Sequence, residues 1–152
     1  MTKINDKIEA FELDTDQGKF YSKDHIGKNL VLFFFPKADT TGCTKESISF
    51  SKLIKEFEDL NTIVIGISKD TVEKQKKFKS KYNLKCILGS DVNTEFCSKF
   101  GVWVEKSMYG KKYMGIQRST FLINTEGKIQ YIWNKVKVPG HAEEVLEFVK
   151  KL

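Results

Sequence analysis

The sequence predicts an α/β protein, a central mixed β-sheet flanked by helices on both faces, and three observations carry that prediction. Apolar runs of strand length occur at Leu30–Phe35 and Thr62–Ile67, and such runs suit strands buried on both sides. Segments with helical spacing of apolar residues lie between and after them. Near the end, a third strand over Arg118–Ile123 is followed by the turn Glu126-Gly127 and a return strand at Ile129–Trp133. A parallel start therefore closes with an antiparallel hairpin, which makes the sheet mixed.

Residues 11–22 form two short extended pieces around the turn Asp16-Gln17-Gly18. Gly27 and Pro36 bound the first buried strand. A polar, threonine-rich loop, Lys37–Gly42, comes next. Phe50, Leu53, Ile54, Phe57 and Leu60 then recur at helical spacing and mark one helix that begins near Cys43. Thr71–Tyr82 is helical and highly charged, hence mostly exposed. Cys86–Leu88 is a short strand, Thr94–Phe100 a short helix, and Ala142–Leu152 a closing amphipathic helix. The order β-α-β-α-β-α followed by β-β-α is the plan of thioredoxin-like folds. No repeat, low-complexity tract or linker divides the chain, so residues 1–152 are expected to form one domain.

Composition narrows the function. At 40% hydrophobic residues with 12 Phe, the 152-residue chain can build a core. No apolar run approaches the roughly 18–20 residues of a membrane helix, and the N-terminus lacks the apolar stretch of a signal peptide. A cytoplasmic protein that binds no membrane is expected. The net charge of +6 comes from scattered lysines without a block or stripe, which argues against nucleic acid as a partner. The three cysteines, Cys43, Cys86 and Cys97, make no disulfide scaffold and match no zinc spacing. Arg118 is the single arginine among 26 basic residues. Arginine differs from lysine in offering a planar fork of donors that stays charged.

Cys43 follows a buried strand and a short loop and falls in the first turn of a helix. Unpaired N–H groups and the positive end of the helix dipole there favour a thiolate, the nucleophilic form. Were residue 40 a cysteine, the loop would read C-x-x-C and support disulfide exchange. It is Thr40, whose hydroxyl could orient a substrate oxygen or cap the helix, as Asp39 or Thr41 also could. Pro36 either shields the thiolate from water or only ends the strand. Glu46 lies on the helix face of Cys43; it is either a surface residue or a partner for a cation such as Arg118. Arg118, at the edge of a buried strand, would polarise a peroxide oxygen and stabilise the charge that builds on the leaving oxygen.

Phe33–Cys43 (FFFPKADTTGC) and Gly115–Ile123 (GIQRSTFLI) resemble the peroxiredoxins of the bacterioferritin comigratory protein, or PrxQ, group. Pro36, Thr40 and Cys43 match the motif P-x-x-x-T-x-x-C, and Arg118 matches the family's distant arginine. The stretches around Phe100–Trp103, Met108–Lys111 and Asn134–His141 also fit. The resemblance implies a thioredoxin-like fold and a thiol peroxidase for hydrogen peroxide and organic hydroperoxides. It implies Cys43, Thr40, Arg118 and Pro36 as catalytic residues, no cofactor and no metal, and a monomer. In many members a resolving cysteine stands five residues after the first, or in the next helix. Here those positions hold Ile48 and Lys79. Cys86 and Cys97 read as core residues. A one-cysteine cycle is expected, completed by an external thiol such as thioredoxin or glutathione/glutaredoxin. The rival readings are a thioredoxin-like disulfide reductase, against which Thr40 argues, and a redox-sensing module that uses Cys43 as a switch.

Overall fold

The computed structural model describes residues 2–152. Strands β1 (Glu12–Thr15) and β2 (Gly18–Tyr21) form the first hairpin, and a short 3₁₀ turn, Ser22–His25, leads to β3 (Asn29–Phe34). Helices α1 (Thr41–Lys52) and α2 (Ile54–Asp59) connect β3 to β4 (Thr62–Ser68). Helix α3 (Val72–Tyr82), β5 (Ile87–Ser90) and α4 (Glu95–Lys99) follow. The chain then makes a hairpin of β6 (Trp103–Met108) and β7 (Lys111–Ile116), adds β8 (Ser119–Ile123) and β9 (Ile129–Trp133), and ends on α5 (His141–Lys150).

Seven strands form one sheet in the order β2-β1-β5-β4-β3-β8-β9. Strands β3, β4 and β5 are parallel, whereas β1, β8 and β9 pair antiparallel with their neighbours. The mixed sheet expected from the sequence is present. All six residues of β3 are buried, and their alternation feeds two cores. Val31 and Phe33 face a cluster with Phe50, Phe57, Phe78 and Val145, contributed by α1, α2, α3 and α5. Leu30, Leu32 and Phe34 face the other side, with Phe96, Phe100 and Ile116. That second face packs against α4, residues of the β6–β7 hairpin such as Trp103 and Ile116, and Ile8 and Phe11 from the segment before β1.

Gly66 sits opposite Phe33 in the β3–β4 register, and a Cβ there would run into the Phe33 ring. The ring instead stacks on Phe50 at 4.4 Å, tying α1 to the sheet beneath it; such aromatic pairs contribute about 1 kcal/mol beyond area burial.

Three sequence expectations need correction. The single helix expected over Cys43–Leu60 is two, because Leu53 leaves the helical ladder and its N–H turns to Phe50 O. The apolar period survives the break because Phe50, Leu53, Ile54, Phe57 and Leu60 all reach the same cluster. Cys86 precedes its strand rather than opening it. The β6–β7 hairpin was not anticipated. Its lysines and exposed faces hide the usual alternation, and its tip, Tyr109-Gly110, has φ of 51° and 79°. A tyrosine at positive φ is an unusual turn signal.

Strand order positions the site. Phe34 at the end of β3 pairs with Ser119 at the start of β8. The loop into α1 therefore leaves the sheet beside Arg118, which precedes β8.

Candidate active site

Pro36 ends β3 and is partly buried; the chain then turns through Lys37–Asp39 into α1. Asp39 adopts φ of 63°, a conformation Asp tolerates. Its carboxylate accepts bonds from Tyr82 Oη (2.5 Å) and Lys81 Nζ (2.9 Å) on α3. Thr40 stands at the N-cap position of α1, but its hydroxyl makes no cap bond. It donates instead to Lys37 O at 2.7 Å and stays exposed. The capping alternative for its side chain is thus set aside, and its oxygen lone pairs remain available.

Cys43 is the third residue of α1 and has no exposed surface. The Arg118 fork spans two partners. Its Nη2 donates to Cys43 Sγ at 3.2 Å, and its Nη1 donates to Glu46 Oε1 at 2.7 Å. Glu46 is 1% exposed and so is no surface residue. Burial lifts its carboxyl to about 7, against the pull of Arg118. Burial opposes the charge on Arg118 in turn, but Glu46 and Cys43 outweigh it and hold the guanidinium above its ordinary value. Glu46 Oε2 has no partner.

Two residues near this fork escaped the sequence reading. Lys106, on β6, donates to Ile116 O across the hairpin. Burial lowers its pKa; Arg118 adds to that and Cys43 opposes it. Lys106 belongs to the hairpin that was not anticipated. The other is Gly42. A Cβ there would lie 3.2 Å from Arg118 Nη2, the nitrogen that reaches Cys43. A glycine in the first turn of a helix, where alanine is preferred by up to ~1 kcal/mol, was the available signal. Gly42→Ala is expected to displace the guanidinium by a few tenths of an ångström and lower kcat/KM for peroxide about 5- to 10-fold, the scale of a slightly misplaced transition-state group. The melting temperature should not fall. Unchanged kinetics would show that the fork tolerates the methyl group.

Cys86 and Cys97 are both buried. Burial pushes the Cys86 thiol up to about 11, and Ser51 Oγ donates to its sulfur at 3.6 Å. Burial, with Asp91 adding to it, also raises the Cys97 thiol. Ile48 is partly buried against the core, and Lys79 pairs at 2.7 Å with the carboxylate of the part-buried Asp16. Clefts of about 590 and 650 Å³ lie along β1 and α4 and at the far end of β3 and β8. Neither is lined by Cys43, Thr40 or Arg118.

Residues 4–132 match the AhpC/TSA family. The chain belongs to that family. Within it, the chain is 46% identical over 145 residues to a putative peroxiredoxin Bcp of Coxiella burnetii, covering 95% of this chain and 96% of that one. It is 42% identical over 151 residues to peroxiredoxin Bcp of Bacillus subtilis, covering 99% and 96%. A cysteine-to-serine mutant of Xylella fastidiosa PrxQ superposes with a TM-score of 0.94 at 36% identity, over 99% of this chain and 97% of that one. The bacterioferritin comigratory protein of Xanthomonas campestris, described for its alkyl peroxide reduction activity, superposes at 0.89 with 37% identity over 96% and 98%. These likenesses place the chain in the peroxiredoxin Bcp group of the AhpC/TSA family, with its thioredoxin-like fold and its thiol peroxidase activity. No described helix is long and apolar enough to cross a membrane.

Proposed function

We propose that Cys43 is the peroxidatic cysteine of a one-cysteine cycle that reduces hydrogen peroxide and organic hydroperoxides. The observation that carries this reading is the Arg118 fork, one nitrogen on the Cys43 sulfur and one on Glu46. The thiolate sulfur attacks the terminal peroxide oxygen. An S–O bond forms, the O–O bond breaks, and water or an alcohol leaves with the proton the hydroperoxide carried. The sulfenate that remains is protonated from solvent to the sulfenic acid. Arg118 stabilises the thiolate and then the charge on the departing oxygen. Thr40 orients the incoming peroxide, and Pro36 shields the sulfur from water. Glu46 holds the fork in place. The alkyl peroxide reduction of the Xanthomonas relative supports organic hydroperoxides as substrates.

An external thiol, from thioredoxin or from glutathione/glutaredoxin, then condenses with the sulfenic acid and releases water. A second thiol breaks the mixed disulfide and returns Cys43. The burial and raised thiols of Cys86 and Cys97 support an external partner, since a resolving thiol attacks as its thiolate. One equivalent of hydrogen peroxide added to the reduced protein should add one oxygen within seconds, captured at Cys43 by a sulfenic-acid trap. The double variant C86S/C97S should keep its turnover with thioredoxin. Loss of two hydrogens on oxidation, or collapse of the double variant, would overturn the one-cysteine cycle. No rapid mass change would remove Cys43 as the peroxidatic residue.

A further inference from the structure

The loop that carries Pro36 and Thr40 is held from below by a buried carboxyl group that the sequence does not single out. Asp70, two residues past β4 and 8% exposed, accepts the Ala38 N–H at Oδ2 with a distance of 2.8 Å. The same oxygen accepts Ser68 Oγ at 2.6 Å. Gln75, fully buried on α3, donates through Nε2 to Ser68 Oγ at 2.9 Å and to Gly89 O at 2.8 Å. Ser90 Oγ donates to the Asp70 carbonyl. A continuous set of buried hydrogen bonds thus runs from the middle of the loop, through β4 and α3, to β5. Asp70 has no cation partner among the described ion pairs.

A buried carboxyl group without a cation is costly unless hydrogen bonds replace its water. Here they do, and one of them is the backbone of the active-site loop. Ala38 packs against the core, and among the described residues the only other side-chain hydrogen bonds to Lys37–Asp39 from outside the loop are the exposed Asp39–Tyr82 and Asp39–Lys81 contacts, of the kind that contributes little. Thr40 is tied to the start of α1 through its carbonyl, which accepts the Thr44 N–H, but its hydroxyl donates to Lys37 O at 2.7 Å, so the direction of that hydroxyl depends on where the neighbouring Ala38 is held.

We propose that Asp70 is a positioning residue for peroxide reduction. It fixes Ala38, and through it Thr40 and Pro36, at the distance from Cys43 that the peroxide requires. It acts on the loop and not on the sulfur, whose environment is set by Arg118 and the helix end. It acts as a hydrogen-bond acceptor, so an asparagine with its oxygen in the same place can stand in. The inference rests on the proposed role of Cys43.

The test compares two reactions of the same sulfur in the wild type, D70A, D70N and S68A. One is peroxide consumption, which needs the loop; the other is alkylation of Cys43 by iodoacetamide, which needs only the nucleophile. In D70A, kcat/KM for hydrogen peroxide should fall about 10- to 100-fold, as expected when a positioning contact is lost. Its alkylation rate should stay within about 2-fold. D70N should recover to within about 3-fold of the wild type, and S68A should show a smaller loss than D70A in the same direction. In the T40V background, D70A should have much less effect than alone, because coupled residues are not additive.

Parallel loss of both reactions in D70A would mean general disruption of the site and overturn the proposal. So would D70N as slow as D70A, or D70A as fast as the wild type. If D70A does not fold, S68A and D70N decide: wild-type peroxide rates in S68A, or a large loss in D70N, reject the role. A wild-type protein that fails to consume peroxide would instead defeat the proposed role of Cys43.

Discussion

Replacing Arg118 by lysine is expected to lower kcat/KM for hydrogen peroxide about 100-fold or more, the scale of removing one preorganised donor from a developing anion. The reason is geometric. Two nitrogens of one planar group reach Glu46 and Cys43 at the same time, at 2.7 and 3.2 Å. A lysine keeps the charge but has a single nitrogen on a flexible stem. If it pairs with Glu46 it leaves the sulfur, and if it turns to the sulfur it leaves a buried carboxyl group unpaired. Stopped-flow consumption of peroxide by reduced protein measures the effect, with iodoacetamide alkylation as a companion. Both should fall, in contrast to D70A. A lysine variant within about 5-fold of the wild type would mean that charge alone suffices and that the fork has no special part.

The second large effect is on stability against pH, where two buried groups near the site oppose each other. Glu46 is raised from 4.5 to about 7 by burial, against Arg118. Between those values the folded state holds more protons than the unfolded state, so its contribution falls as pH rises. His141, 5% exposed with Nε2 2.8 Å from Thr120 Oγ1, is lowered from 6.5 to about 4. Burial is the main cause, Glu144 opposes it and Arg118 adds to it. Between pH 4 and 6.5 the folded state holds fewer protons at this site, so its contribution grows as pH rises. Each shift corresponds to about 3 kcal/mol over its window. From about pH 4.5 to 6.5 the two slopes cancel.

Single substitutions should unmask them. Relative to the wild type, E46Q should gain about 3 kcal/mol between pH 4.5 and 7, because the Glu46 contribution, which the variant lacks, falls by that amount there. H141Q should lose a similar amount relative to the wild type between pH 4 and 6.5. Urea unfolding at a series of pH values measures both. Curves that run parallel to the wild type across these windows would show that neither group changes its proton affinity on folding.

Much of the architecture was legible because its signals are local. Leu30–Phe35 and Thr62–Ile67 read as buried strands since continuous apolar residues have few other places to go. The helical period from Phe50 to Leu60 survived even a break at Leu53, because burial of the apolar face, not helix continuity, sets that period. The β6–β7 hairpin was missed because its strands lie outside the main sheet and most of their residues are exposed. Burial imprints no pattern on a strand that is not buried.

Cys43, Thr40, Pro36 and Arg118 were all singled out by sequence, from a cysteine at a helix start, a family motif and the one arginine of a lysine-rich chain. What the sequence by itself determined is which residue types are present and which local elements carry them. What only the tertiary structure decided is who meets whom. Glu46 could have been a surface carboxylate, and burial under the β3–β8 register made it the second partner of Arg118. Gly42 reads as a helix defect until the guanidinium is seen to occupy the space of its missing Cβ. Asp70 is one of many acidic residues until Ala38 is found bonded to it. Each of these contacts joins residues far apart in the chain. Their meeting depends on strand order and register, which follow from burying the whole sheet at once rather than from any short stretch of sequence.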